Sequence, residues 1–229
     1  MKFERNPMLL KEDSEFLENI GTQFETYKYL EVGVYYGQSL PYQLTKNNCE
    51  WVTGVDLFPE SYPDERHFQH TRQPNWEKVY QYLRDREIPH ENMEGFHGDV
   101  GDLPVNHSYD IAFIDAEHTN EAAFRDALNV MPHMKDDCVI IFHDTTLVYG
   151  AIDCFRVWLD SQSIKWNMFK IKGSELSVFV LGNLPHVEVF CRKRKQNYER
   201  FKMNAKLRLA FNIISKNSPD PAKYFNRYD

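Results

Sequence analysis

Short apolar runs alternate with amphipathic stretches along most of the chain. Tyr29 to Val32, Trp51 to Val55, Ile111 to Ile114 and Val139 to Phe142 are nearly unbroken apolar runs. Runs of this length and composition fit strands buried on both faces of a parallel sheet. Gly95-Phe96-His97 is a weaker strand signal, and Lys165 to Ile171 with Ser177 to Leu181 predict a closing strand pair. Between these runs the period changes. Residues 8–26 read as a polar, amphipathic leading helix, and a helix begins at Ser39. Trp76, Val79, Tyr80 and Leu83 recur at helical spacing ahead of Pro89, and Phe124, Ala127, Leu128 and Met131 do the same. Residues 151–161, with Phe155, Val157 and Trp158, predict one more helix. Such alternation predicts an α/β domain with a doubly wound, mostly parallel sheet and helices on both faces.

Two stretches break the pattern. Residues 57–75 hold Pro59, Pro63 and Pro74 and show no periodicity. Loops of this length in a compact domain often serve as lids, so the segment is expected to cover a ligand. From Arg192 the chain turns basic, with Phe201, Ala205 and Leu209 forming a partial apolar face. The expected organisation is therefore a domain over residues 1–185 and a basic helical extension over 186–229. The terminal helices are where a homo-oligomer would form.

Composition narrows the class. At 42% hydrophobic residues the chain carries enough apolar side chain for a sizeable core. A formal net charge of -7 argues against nucleic acid as a partner of the whole chain. The basic C-terminal segment reads first as a solvated helix balancing an acidic body. Cys49, Cys138, Cys154 and Cys191 form no CxxC pair, so reduced thiols are expected rather than a disulfide frame or a zinc site. No run approaches the roughly 18 apolar residues of a membrane span, and the first residues lack a signal-peptide core. A cytoplasmic location follows as the expectation.

The chemistry lies where the strands end, because open α/β sheets bind ligands beyond the carboxyl ends of their strands. The first strand runs into Glu31-Val-Gly33-Val-Tyr-Tyr-Gly37-Gln-Ser39. Glycines there allow positive φ and close approach of a ligand. The spacing is GxxxG rather than the GxGxxG of a dinucleotide turn, which argues against a nicotinamide oxidoreductase. Bulky Tyr35 and Tyr36 leave little room for a pyrophosphate, and a carboxylate at Glu31 suits a cationic ligand. Asp56 ends the second strand, where it can accept from both ribose hydroxyls, and Asp99 follows the third, where it can accept from an adenine amino group. The fourth strand runs into Asp115, Glu117 and His118, and the fifth into His143-Asp144. Taken singly, each is ordinarily structural: Asp99 a turn former, Asp115 a helix cap, His118 bonded to a carbonyl, His143 a satisfied strand-end residue. As a set they suit an adenosine carrying a positive sulfonium, beside a site that activates an acceptor.

At these motifs the chain resembles a known family. ExGxxxGxS at 31–39, VTGVDLF at 52–58, HGDV at 97–100, FIDAEHT and IIFHD look like a class I S-adenosylmethionine-dependent methyltransferase. The likeness covers about residues 27–182 in the family's motif order. The branch it is most similar to holds small-molecule O-methyltransferases of the macrocin and mycinamicin sugar type. The resemblance implies a Rossmann-like, seven-stranded sheet with an antiparallel last strand. It implies Glu31, Gly33, Gly37 and Ser39 around the methionine part and ribose of S-adenosylmethionine, Asp56 on the ribose, Asp99 near the adenine and Asp115 beside the cofactor. The DxxH element of those sugar enzymes implies Asp115 and Asp144 as ligands of a divalent metal, Mg²⁺ or Mn²⁺, and His118 as general base. His143 stands where they have a carboxylate and is assigned as a further ligand. The implied acceptor is a hydroxyl of a small molecule, a sugar or another polyhydroxylated metabolite. Ala116-Glu117 and Thr119-Asn120 depart from the family's Gly-Asp and Ser-Tyr, and no Pro-Gly follows Asp144. Two alternatives stay open: a metal-independent enzyme using His118 or His143 alone, and a silent binding protein using its basic C-terminal helix.

Overall fold

The computed structural model describes residues 9–58 and 74–216, with side chains as far as residue 210. Residues 59–73, most of the expected lid, lie outside the described residues. The strands are β1 (Tyr27–Val32), β2 (Cys49–Asp56), β3 (Met93–His97), β4 (Tyr109–Ile114), β5 (Met134–Phe142), β6 (Trp166–Ile171), β7 (Ser177–Leu181) and β8 (Lys195–Gln196). The helices are α1 (Lys11–Ile20), α2 (Pro41–Leu44), α3 (Trp76–Asp85), α4 (Asn120–Val130), α5 (Thr145–Ser161), α6 (Pro185–Arg192) and α7 (Tyr198–Lys216).

One sheet runs in the order β3-β2-β1-β4-β5-β7-β6-β8. Strands β1 to β5 pair in parallel, and β7 is antiparallel to both β5 and β6. Alternate side chains of each strand enter two separate cores. Tyr29, Ile111, Phe113, Val139 and Ile141 pack beneath α1, α2, α3 and α6. Leu30, Val32, Ala112, Ile114, Ile140 and Phe142 pack beneath α4 and α5. Strand β4 is buried along its whole length, which is why Ile111 to Ile114 reads as a continuous apolar run instead of an alternating one.

Three expectations are corrected. Among the described residues the sheet has eight strands rather than seven: β8 pairs antiparallel with β6 through Ile171↔Lys195 and Lys170↔Gln196. Two polar residues at a sheet edge carry no period and contribute only main-chain bonds, so nothing in their sequence marks a strand. The basic segment from Arg192 is also not a single helix. Helix α6 ends at Arg192, β8 intervenes, and Asn197 starts α7 by accepting from Arg200 N at 2.8 Å. An Asn at an N-cap is a stop-and-start signal that the run of cations masks. The leading helix is shorter than the expected 8–26, with a 3-10 turn at Gly21–Gln23 ending it.

The order places β2 on one side of β1 and β4 on the other, so the chain's direction of winding reverses between β1 and β4. Ligands of open α/β sheets bind at that crevice. Register then aligns the residues beyond the strands. Val32 stands beside Val55 and Ile114, and Ile114 beside Phe142. The ladder continues one step further through Gly33 N to Val55 O, Asp115 N to Val32 O and His143 N to Ile114 O. Asp56, Gly33, Asp115 and His143 therefore form one row along the sheet's carboxyl edge.

Candidate active site

The β1 end is built around a turn that needs glycine. Gly33 has φ +89°, and a Cβ there would lie 2.3 Å from the Asp115 carbonyl oxygen. Gly37 has φ +73° and its Cβ would meet Val79 at 2.7 Å. Between them Tyr35 adopts a left-handed conformation, φ 52°, which points its N–H at Asp56 Oδ2, 2.7 Å away. Phe58 N donates to Asp56 Oδ1 at 2.7 Å. Asp56 thus ties the β1 turn to the end of β2. Burial raises its pKa, and these backbone hydrogen bonds pull against that rise.

Glu31 is wholly buried. Ser39 Oγ donates to its Oε1 at 2.5 Å and Tyr29 OH to its Oε2 at 3.0 Å. Burial pushes its carboxyl up to about 8 despite these two donors, so Glu31 is mostly protonated at neutral pH with no cation beside it. Asp99 accepts from Gly101 N at 2.7 Å and Asn129 Nδ2 at 3.3 Å, and Arg125 lies 3.8 Å away. It fills the turn-former role that any Asp at this place would fill.

The β4 and β5 ends differ. Thr119 caps α4 by accepting from Ala122 N, which leaves the Asp115 carboxylate free of capping. Asp144 sits at the N-terminus of α5 with φ 47° and makes no side-chain cap bond. A non-glycine residue in the left-handed region is strained and occurs where the surroundings enforce it, often at functional sites. Here the conformation turns the carboxylate toward the crevice. His118 Nε2 lies 2.8 Å from Asp144 Oδ2 and 3.7 Å from Asp115 Oδ1. His143 Nδ1 lies 3.0 Å from Asp115 Oδ1 and 3.3 Å from Asp144 Oδ2.

Electrostatics follow from this packing. Burial opposes the charge on His118, but hydrogen bonds to Asp115 and Asp144 outweigh it and raise its pKa to about 9. His143 also rises well above the usual imidazole value: burial lowers it, and Asp115, Asp13 and Asp144 more than compensate. Burial alone would raise Asp115 and Asp144; the two imidazoles hold both carboxyls below their ordinary range. Asp115, His118 and Asp144 each offer a ligand atom, and these atoms lie within 4.8 Å of one another. His143, expected as the third ligand, falls outside that trio, and His118, expected as the base, falls inside it.

Sequence reasoning missed Asp13. It is fully buried and its Oδ2 lies 3.4 Å from His143 Nε2. A signal was present: Asp13 occupies the stripe of α1 shared with buried Phe16, Leu17 and Ile20. A carboxylate at an apolar position must meet a partner.

The strand order, with an antiparallel β7 between β5 and β6 and an acidic row at the switch point, is the architecture of the methyltransferase class. Sequence comparison reaches the family directly: residues 30–145, about half of the chain, match the family described as "Methyltransferase domain", and the chain belongs to it. No curated protein matches the sequence significantly. Among solved structures the fold is similar to the O-methyltransferase TomG from Streptomyces achromogenes, in complex with SAM, at TM-score 0.53 and 14% identity over 74% of this chain and 79% of that one. It is similar to a putative caffeoyl-CoA O-methyltransferase from Staphylococcus aureus, at TM-score 0.56 and 13% identity over 77% and 86%. A putative O-methyltransferase from Klebsiella pneumoniae gives TM-score 0.53 and 14% identity over 76% and 81%. Among the described residues no helix is long and apolar enough to cross a membrane.

Proposed function

We propose that this chain transfers the methyl group of S-adenosylmethionine to a hydroxyl of a small, polyhydroxylated acceptor. Membership in the methyltransferase family supports the donor, and the motif likeness of residues 31–39 and 115–144 supports an oxygen acceptor. The observation that carries the reading is the Asp115–His118–Asp144 group, set one step along the sheet edge from Gly33. In this reading Gly33 and Gly37 let the methionine part approach the backbone, Asp56 accepts from the ribose and Asp99 faces the adenine. Glu31, buried near that cradle, takes up negative charge when a sulfonium arrives.

The donor set fits a divalent cation. Two carboxylates and an imidazole converge, and His143 Nδ1 is a buried nitrogen with no hydrogen bond among the described residues. Oxygen-rich sites with an added imidazole suit Mg²⁺ or Mn²⁺. Asp115, Asp144 and His143 would hold the ion, leaving His118 as the base, and the ion's contribution would be to lower the pKa of the acceptor hydroxyl and orient it.

The reacting atoms balance simply. The acceptor oxygen forms the new bond to the methyl carbon, the carbon–sulfur bond breaks with its electrons going to sulfur, and the hydroxyl proton goes to His118 Nε2. In the ligand-free site that nitrogen is held protonated by Asp115 and Asp144, so it serves as a base only once those carboxylates are engaged elsewhere. A second reading rests on the 2.8 Å Asp144–His118 contact: an Asp–His pair acting as base without a metal. An acceptor-library assay with S-adenosylmethionine, run with EDTA and with added Mg²⁺ or Mn²⁺, tests both. Methyl transfer abolished by EDTA and restored by metal supports the first; transfer indifferent to EDTA supports the second; no methylated product from any acceptor sinks both.

A further inference from the structure

We propose that Asp13, on the leading helix, is a positioning residue that holds His143 with Nδ1 facing Asp115 and Asp144, making His143 a further donor to the divalent ion. The inference rests on the metal-assisted reading above. Its basis is the arrangement of one buried carboxylate and one buried ring. Asp13 is 0% exposed. Its Oδ1 accepts from Glu175 N at 2.9 Å, and its Oδ2 accepts from Leu10 N at 3.0 Å. Both oxygens are therefore pinned by backbone from opposite ends of the chain, and the carboxylate cannot turn away from the ring. Oδ2 lies 3.4 Å from His143 Nε2. The ring is held from the side as well: Phe113 packs edge-on with centroids 5.9 Å apart.

With Nε2 given to Asp13, only Nδ1 can address the site. It lies between the Asp115 and Asp144 carboxylates at ion-pair distance, 3.0 and 3.3 Å, with no hydrogen bond of good geometry among the described residues. His143 is 8% exposed, so water does not satisfy that nitrogen. A buried nitrogen flanked by two carboxylates within a few ångströms is placed as a third ligand beside them would be. A carboxylate on the far nitrogen is the usual partner of a metal-bound histidine: it fixes ring orientation and tautomer, and its loss typically costs about 10–100-fold in metal affinity. Asp13 lies outside the 30–145 family match, so this support belongs to the chain's own leading helix.

The test is Mn²⁺ titration of the full chain, followed by the electron paramagnetic resonance of free Mn²⁺, with S-adenosylhomocysteine binding measured on the same samples. Asp13→Asn places an amide N–H against Nε2, which forces the proton onto Nδ1. It is expected to weaken Mn²⁺ binding by about 10–100-fold while leaving S-adenosylhomocysteine affinity unchanged. Asp13→Glu, which keeps a carboxylate, should recover part of that loss. In a His143→Ala background Asp13→Asn should add nothing further. Should Asp13→Asn lose S-adenosylhomocysteine binding through misfolding, Asp13→Ser replaces it in the same comparison. Unchanged Mn²⁺ affinity in a folded Asp13 variant, or an equal further loss in the His143→Ala background, overturns the role of Asp13 and leaves the metal reading standing. A wild-type chain that binds no Mn²⁺ overturns both together.

Discussion

The two halves of the sheet's carboxyl edge use acidic residues in opposite ways. At the β1–β2–β3 ends, each carboxylate is already engaged by neutral donors of its own chain. Tyr35 and Phe58 N–H groups hold Asp56, Ser39 and Tyr29 hydroxyls hold Glu31, and Gly101 N holds Asp99. At the β4–β5 ends the Asp115 and Asp144 side chains neither cap a helix nor accept from backbone among the described residues. They face two imidazoles in a partly buried cluster. The first half is a pre-shaped cradle whose acids shape turns and remain able to accept further hydrogen bonds. The second is a charge cluster whose members alter one another's protonation. In the proposed function binding and chemistry are separated along one edge, and substitutions on the two sides should fail differently.

The largest separation is expected from His118→Ala. It should lower turnover by about 10²–10⁴-fold, the usual worth of a general base, while S-adenosylhomocysteine affinity measured by calorimetry stays put. Full activity in that variant removes His118 from the chemistry. On the cradle side, Asp56→Ala should weaken cofactor binding by about 1.5–3 kcal/mol, the range for a lost hydrogen bond to a charged group. The loss should appear in affinity more than in single-turnover rate at saturating cofactor; an unchanged dissociation constant with the fold intact rejects the ribose assignment.

A smaller effect should come from Glu31. Its folded pKa near 8 means that below this pH the group is protonated and offers a sulfonium no charge. Raising the pH through 8 ionises it, so affinity for S-adenosylmethionine should rise several-fold from pH 6.5 to 8.5. Affinity for the uncharged thioether of S-adenosylhomocysteine should rise much less. Equal pH dependence for the two ligands, or its persistence in Glu31→Gln, refutes this coupling. The same shift bears on stability. The unfolded carboxyl ionises near 4.5 and the folded one near 8, so the ligand-free fold loses stability as pH rises between those values. The smallest effect belongs to Arg125→Ala. Arg125 is 52% exposed and 3.8 Å from Asp99, and exposed pairs are worth roughly 1 kcal/mol or less. Thermal midpoints and cofactor affinity should barely move; a large loss of affinity would make Asp99 depend on Arg125 rather than on its turn.

The alternation of apolar runs and helical stripes was enough to read the α/β class, the parallel core strands and the strand-end residues. Each of those signals is local and periodic. From Ile111 to Ile114 strand β4, buried on both faces, shows as an unbroken run because none of these positions meets water. Strand β8 did not show, because two polar residues at an edge form main-chain bonds without any side-chain pattern. The break between α6 and α7 was hidden for a related reason: Asn197 caps α7 inside a run of cations that reads as continuous helix.

The site divides along the same line. The sequence by itself determined which chemistry is carried: glycines where φ is positive, carboxylates at successive strand ends, and two histidines beside two aspartates. Strand length and the reach of one turn are enough to bring each to the carboxyl edge. Only the tertiary structure decided how they are paired. The register that continues from Val32 through Ile114 to Phe142 sets Gly33, Asp115 and His143 side by side. The left-handed Asp144 turns its carboxylate onto His118. Asp13 reaches His143 across 130 residues of chain. Distances between groups far apart in sequence follow from sheet order and core packing, and neither is written in any local period.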